Sequence, residues 1–164
     1  LDAGDILMQE SFQLGKDMNS SDLTLNLINL GKKILMKTLP LLFENKLIGK
    51  KQDETKVTYA NKFMPEDRRI NFYNSADDVF NHIRAHGPKP GSWFMYKGER
   101  IKIIKAKKTN QLGESSTILD KDFTIACKEG AILPLFIQRE GKKVVSLEDF
   151  LRGFTFSMHD KLNA

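Results

Sequence analysis

The chain has 164 residues, 40% hydrophobic and 29% charged, a balance that excludes a disordered or collagen-like protein and fits one substantial core or two small ones. Its net charge of +5 sits entirely in the middle, with 11 basic against 5 acidic side chains over residues 62–108, while the flanking stretches are near neutral. A single cysteine (Cys127), three scattered histidines (His82, His86, His159) and the lack of any long apolar run exclude a disulfide scaffold, a metal-ligand spacing and a membrane span, so a cytoplasmic protein is expected.

The chain opens Leu1-Asp2-Ala3-Gly4-Asp5 without an initiator Met, and it is expected to be the later part of something larger. Ile6 to Phe12 turns from an apolar run to alternation, which predicts a strand leaving a sheet interior. Asn19, Ser20, Ser21 and Asp22 offer N-caps, and Leu23, Leu27, Leu30 and Ile34 recur at helical spacing, predicting a helix over about 22–38 that Pro40 either ends or bends, the apolar Leu41, Leu42 and Phe43 continuing it as another turn in the second case. A strand followed by an amphipathic helix is half of a βα unit and cannot close a core alone. From Glu44 to Val57 the chain is polar and aperiodic, in the manner of a linker.

Ser75 with Asp78 resembles a capping box, and Val79, Phe80 and Ile83 supply the buried stripe of a helix over about 76–85. Gly87, Pro88, Pro90 and Gly91 stop it. The period then changes to two over Trp93–Lys97 and Arg100–Ala106, with Gly98 at the turn and further pieces near 117–119, 123–127 and 131–137. Ser146 caps a last short helix with Leu147, Phe150 and Leu151 on one face. The expected fold class is α+β: a strand–helix piece, a linker, then a small open antiparallel barrel of the oligonucleotide-binding type flanked by short helices. A generic antiparallel sheet with helices would give the same pattern.

Chemistry-bearing sets are few. No nucleophile elbow, phosphate-binding glycine loop or dinucleotide fingerprint is present, so a self-contained active site is not expected. His82 is assigned to packing and Cys127 to an inert buried thiol. Asp2, in a glycine-containing turn before a hydrophobic stretch, is a carboxylate suited to orienting an imidazole, or is simply a frayed terminal acid. The second candidate is basic: alternation places Arg100 and Lys102 on one strand face and Ile101 and Ile103 on the other, with a phase break at Ile104–Lys105 that suggests a bulge. Lys62, Arg69, Arg84, Lys97, Lys105, Lys142 and Lys143 join them as candidate phosphate contacts, against the alternative of a solvated edge strand protected by lysines.

Read together, these segments resemble the methionyl-tRNA formyltransferase family. Leu1-Asp2-Ala3-Gly4-Asp5 is similar to its L-D-x-G-D motif, and Gln52-Asp53-Glu54 with Thr58-Tyr59-Ala60-Asn61-Lys62 to its linker. Arg69-Ile70-Asn71-Phe72 is similar to its R-I-[DN]-[WF] segment, Ile83-Arg84-Ala85 through Pro88, Pro90 and Gly91 to I-R-A-x-x-P-x-P-G, and Gly141-Lys142-Lys143 with Phe150-Leu151-Arg152-Gly153 to its closing motifs. Order and spacing make the set specific. The chain departs at His86, Gly87 and Lys89, where the family commonly has Phe, Asn and Trp; Trp93 is expected to fill the vacated space.

The resemblance implies residues 1–45 as the end of a Rossmann-like formyltransferase domain, 46–64 as linker, and 65–164 as a tRNA-binding domain. It implies transfer of a formyl group from 10-formyltetrahydrofolate to the amino group of methionine on initiator tRNA. Asp2 then matches the catalytic aspartate, which fixes an imidazole while amide and imidazole groups stabilise the tetrahedral alkoxide formed by amine attack. The partner Asn and His of that motif are absent from this sequence, so the chain alone is expected to bind no folate and to show no transferase activity. It is expected to need no metal and no membrane, and to self-associate through an exposed first helix, the full-length family member being monomeric. Other users of 10-formyltetrahydrofolate, such as its hydrolase/dehydrogenase or a sugar formyltransferase, and a stand-alone RNA-binding barrel are the competing readings.

Overall fold

The computed structural model describes residues 2–162. They fall into two compact units, one built from the segment before Asn19 with Asp22–Lys62, the other from Asn19–Ser21 with the chain from Phe63 onward. No helix among the described residues is long and apolar enough to cross a membrane.

Helix α1 (Ser20–Phe43), which belongs to the first unit from Asp22 onward, continues past Pro40 through the further turn. It starts where the Asn19 side chain accepts the Ser21 N–H at 2.9 Å, with Asp22 in the first turn complementing the helix dipole. Pro40 lies in the last turns, where its ring removes one bond but its own carbonyl still accepts Glu44 N–H at 3.1 Å, so the helix runs on to Phe43. The strand expected over residues 6–12 is not formed. A strand needs a ladder partner, and among the described residues only Lys50 lies alongside, in a single antiparallel bridge to Ile6. Thr38 fixes this segment on the helix, its hydroxyl donating to Ile34 O at 2.7 Å and lying 3.4 Å from the Met8 sulfur. The unit has no apolar core: Leu25, Leu27, Ile28, Leu35 and Met36 are exposed, and every buried hydrophobic side chain among the described residues lies from Ile70 onward.

The second unit is organised around an antiparallel sheet of β1 (Ser92–Tyr96), β2 (Glu99–Thr109), β3 (Ile125–Ala126), β4 (Ala131–Arg139) and β5 (Val144–Ser146). The order is β1-β2-β4-β3, with β5 also on β4. Strands β3 and β5 share one edge of β4, opposite residues 131–132 and 136–138 respectively. Helix α2 (Ala76–His86) begins at the expected capping box, Asp78 N–H donating to Ser75 Oγ at 3.1 Å, and α3 (Leu147–Arg152) repeats the device at Ser146. Val79 and Ile83 of α2 meet Ile101, Ile103 and Ala106 of β2 and Ile132 and Ile137 of β4 on one sheet face, and Phe150 of α3 joins the same core.

The sheet is open rather than closed into a barrel. The outer edge of β1 carries only a parallel bridge between Trp93 and Arg69, and no ladder among the described residues returns to it from β3. The pieces expected at 117–119 and 123–127 shrink to bridges and a two-residue strand because Asp120 folds the chain into a turn. Its carboxylate accepts Asp122 N–H and Thr124 N–H at 3.0 Å each, and Phe123 takes a left-handed φ of 61°. That turn drives Phe123 into the centre of the aromatic core, with Phe156 at 4.9 Å and Phe150 at 5.5 Å between ring centroids.

Candidate nucleic-acid interface

Strand alternation and register build the outer sheet face row by row. Met95 pairs with Arg100; Trp93 pairs with Lys102, which pairs with Gln138, which pairs with Val144. The bulge expected near Ile104 is present, with register shifts between Ile103 and Lys105 and between Lys105 and Ala106. It brings Lys105 opposite Phe136, which in turn pairs with Ser146. Ile101, Ile103 and Ile137, out of phase with these, are fully buried beneath.

Trp93 faces outward yet is only 4% exposed. The Arg100 guanidinium lies 4.4 Å and that of Arg69 5.7 Å from the indole ring, and the indole N–H donates to Pro65 O at 3.1 Å. Two cations thus stack against one ring, each held by the ring quadrupole. Trp93 is committed to this stack, while Lys89 stands exposed in its own loop. Arg100 Nε is buried there without a hydrogen-bond partner, leaving the terminal amino groups as its remaining donors. Lys102 Nζ donates to Pro90 O at 3.1 Å. A cavity of about 240 Å³ opens beside them, lined by Arg100, Lys102, Gln138, Arg139, Glu140 and Gly141.

The β4–β5 turn closes that cavity. Gly141 has φ 69°, a conformation suited to glycine, Lys142 N–H donates to Arg139 O at 3.1 Å, and Gln138 Nε2 donates to Lys142 O at 2.8 Å. Lys142 and Lys143 are exposed in this turn. Arg139 points to the core side, where it holds Glu99 through two bonds of 2.7 and 2.8 Å and lies 5.1 Å from the Phe154 ring. The Arg139 hydrogen bond lowers the Glu99 carboxyl below its usual range.

Arg69, Arg100, Lys102, Lys105 and the Lys142–Lys143 turn therefore share the outer sheet region. Two other predicted contacts of the same unit, Arg84 and Lys97, do not. Arg84 sits on α2, which covers the opposite sheet face, and its Nε donates to Asn81 Oδ1 at 2.8 Å. Lys97, at φ 48° in the β1–β2 turn, is ion-paired with Asp160 at 2.9 Å. Lys62 belongs to the first unit. Phe136 and Gln138 lie on the outer sheet face too without carrying charge, and the alternation of Phe136, Ile137 and Gln138 is the sequence signal for them.

Asp2 lies exposed in the first unit, at φ 59°. Gln52 Nε2 donates to Asp2 O at 2.7 Å and to Gly4 O at 2.8 Å, tying the motif to the segment after α1. All three histidines belong to the other unit. The nearby cavity of about 330 Å³, lined by Ile6, Leu7, Met8, Gly31, Ile34, Leu35 and Thr38, has Thr38 as its one polar side chain, already bonded. The lining is otherwise apolar. Among the described residues no three His, Cys, Asp or Glu side chains gather to hold a metal ion. His82 and His86 are packing residues: His86 Nδ1 bonds His82 O at 3.0 Å, and burial lowers the His82 pKa. Cys127 is buried, and desolvation pushes its thiol up to about 12, as expected of an inert thiol.

A family profile described as formyl transferase, C-terminal domain, matches residues 62–155. A curated methionyl-tRNA formyltransferase of Rickettsia bellii is 37% identical across 99% of this chain and 53% of its own length. HypX from Aquifex aeolicus, solved with tetrahydrofolic acid, matches at a TM-score of 0.68 and 18% identity over 99% of this chain and 32% of its own. An N-formyltransferase from Helicobacter canadensis, solved with folinic acid and dTDP-3-aminofucose, matches at 0.65 and 23% over 85% and 51%. The chain spans about half the length of the curated relatives it matches. These solved structures share its fold, and the chain belongs to the formyl transferase C-terminal domain family.

Proposed function

We propose that this chain serves a methionyl-tRNA formyltransferase as the part that grips initiator tRNA, in the cytoplasm, while a folate formyl donor is handled by residues outside it. The name borne by its curated relatives supports the reaction. The observation that carries the tRNA role is the clustering of Arg69, Arg100, Lys102 and Lys105 on the side of the sheet opposite the core, in a module that is otherwise neutral. Cations on a sheet face hold phosphates without reading sequence, the mode suited to a folded RNA. In this reading the open sheet works as a barrel-like tRNA holder over residues 65–164, 46–64 is its linker, and residues 1–45 finish a catalytic domain against whose sheet the bare face of α1 packs. Asp2 is the carboxylate this chain contributes to the reaction, orienting an imidazole supplied from elsewhere.

The test is tRNA binding by the chain in a filter or anisotropy assay across a salt series. Affinity should fall as a power of salt concentration, and Arg100→Glu with Lys102→Glu should weaken binding and reduce the slope by about 2. Unchanged affinity would remove this face as the contact surface. A sugar-formyltransferase reading, favoured by the fold shared with the Helicobacter canadensis enzyme, predicts no tRNA binding.

A further inference from the structure

We infer that the outer sheet face carries a stacking site for one unpaired nucleobase on Phe136, with the adjoining phosphate taken by Arg100 and Lys102. This rests on the tRNA reading and deepens it, since phosphate-only contact with a duplex would leave the ring unused.

Phe136 lies in the middle of β4, where its chain neighbour Ile137 is fully buried, yet it is 43% exposed. It is not covered by α2 or α3, whose apolar residues pack on the other side of the sheet. Lys105 stands beside it on β2 and Ser146 on β5, and Gln138 is the next outward residue along its own strand. Gln138 lies between Lys102 and Val144, and with Arg100, Lys102 and Gly141 it lines the 240 Å³ cavity. A strand rise of about 3.3 Å per residue puts Phe136 about 7 Å from the Lys102–Gln138 row; the Arg100 backbone lies one row further, opposite Glu140, and its guanidinium rests against Trp93, which pairs with Lys102. One nucleotide can therefore lay its base on the ring and its backbone against the cations.

Charge complementarity selects the occupant. A bare aromatic ring beside Lys105 and one row from Lys102 would accept an apolar peptide only by desolvating those cations, whereas a nucleotide satisfies both, its π-face on the ring and its phosphate on the charges. The arrangement also discriminates between RNA conformations. In an A-form duplex the base faces are hidden in the stack and only sugar and phosphate edges reach a flat sheet; an unpaired base in a loop or at an end can be splayed onto the ring. Arg100 is held beside Trp93, its guanidinium 4.4 Å from the ring and its Nε buried, with the terminal amino groups left to meet the phosphate.

The experiment compares, with the 164-residue chain, a short single-stranded oligoribonucleotide carrying 2-aminopurine and a blunt duplex of the same sequence. The wild type should bind the single strand and quench its fluorescence on stacking. Phe136→Ala should lower single-strand affinity by about tenfold and abolish the quench, while changing duplex affinity less than about twofold. Phe136→Leu keeps the apolar bulk, and thus the fold, and should lose the quench; Phe136→Trp should keep it. Failure of the wild type to bind the single strand, or a Phe136→Ala effect that is equal on both probes or nil, overturns the stacking site. If Arg100→Glu with Lys102→Glu leaves both probes bound as before, the basic-face reading fails with it.

Discussion

Replacing Trp93 by Phe tests the double cation stack on which the outer face is organised. The indole is nearly fully buried although it points away from the core, so its cover consists of Arg69, Arg100 and the Pro65 segment. Phenylalanine keeps a ring but loses the hydrogen bond to Pro65 O, about 1 kcal/mol, and weakens two cation–π contacts by about 0.5 kcal/mol each. A loss of about 2 kcal/mol in a unit of this size corresponds to a fall in Tm of about 8–16 °C, with Leu costing more through the gap it leaves. Thermal unfolding followed by circular dichroism reads this directly. The same variant separates order from charge. All cations remain, so the salt slope of tRNA binding should match the wild type, while affinity drops because Arg100 is no longer held in place. A Tm within about 2 °C of the wild type, by the same scaling, would refute the stack as a stabilising contact. A changed salt slope would refute its role as a positioner.

Gly87 is placed so that an added Cβ would meet Ile104 O at 2.9 Å and Ile83 O at 3.0 Å, both backbone atoms. Gly87→Ala should therefore cost about 1–3 kcal/mol in urea unfolding, whereas Gly153→Ala, facing open space, should cost far less. Asp160 accepts from Tyr96 Oη and Lys97 Nζ, and these bonds lower its carboxyl below the ordinary value of 3.8. A depressed folded pKa gives stability that is present above the unfolded value and lost as pH falls through the folded one. Asp160→Asn should thus flatten the stability profile below about pH 4, as acid unfolding at constant salt would show. Cys127, with its thiol pushed up to about 12, should resist a thiol reagent at pH 8 in the native protein and react at once in denaturant.

What could be read from the sequence was set by how local its causes are. The caps at Ser75 and Ser146, the β1–β2 hairpin and the bulge after Ile103 each depend on a few neighbouring residues, and each is where its local pattern places it. The strand over residues 6–12 failed because a strand is defined by a partner, and among the described residues Ile6 finds only Lys50. Barrel closure failed for a different reason. Counting apolar runs could not reveal that Asp120 ties its own chain into a turn, which spends most of the 117–127 stretch on burying Phe123 instead of extending a ladder. The basic set was legible as charge but not as geometry, because sequence proximity does not separate the two faces of a sheet from a helix laid across it. Arg84 and Arg100 are both cations of the same segment, yet one is held by Asn81 on α2 and the other by Trp93 on the outer face. Pairing register is what assigns a charge to a surface. It follows that a single charge reversal at Arg84 should leave RNA binding nearly intact while the same reversal at Arg100 weakens it. Equal losses at the two positions in the anisotropy assay would mean that the net charge of the module, and not this face, attracts the RNA.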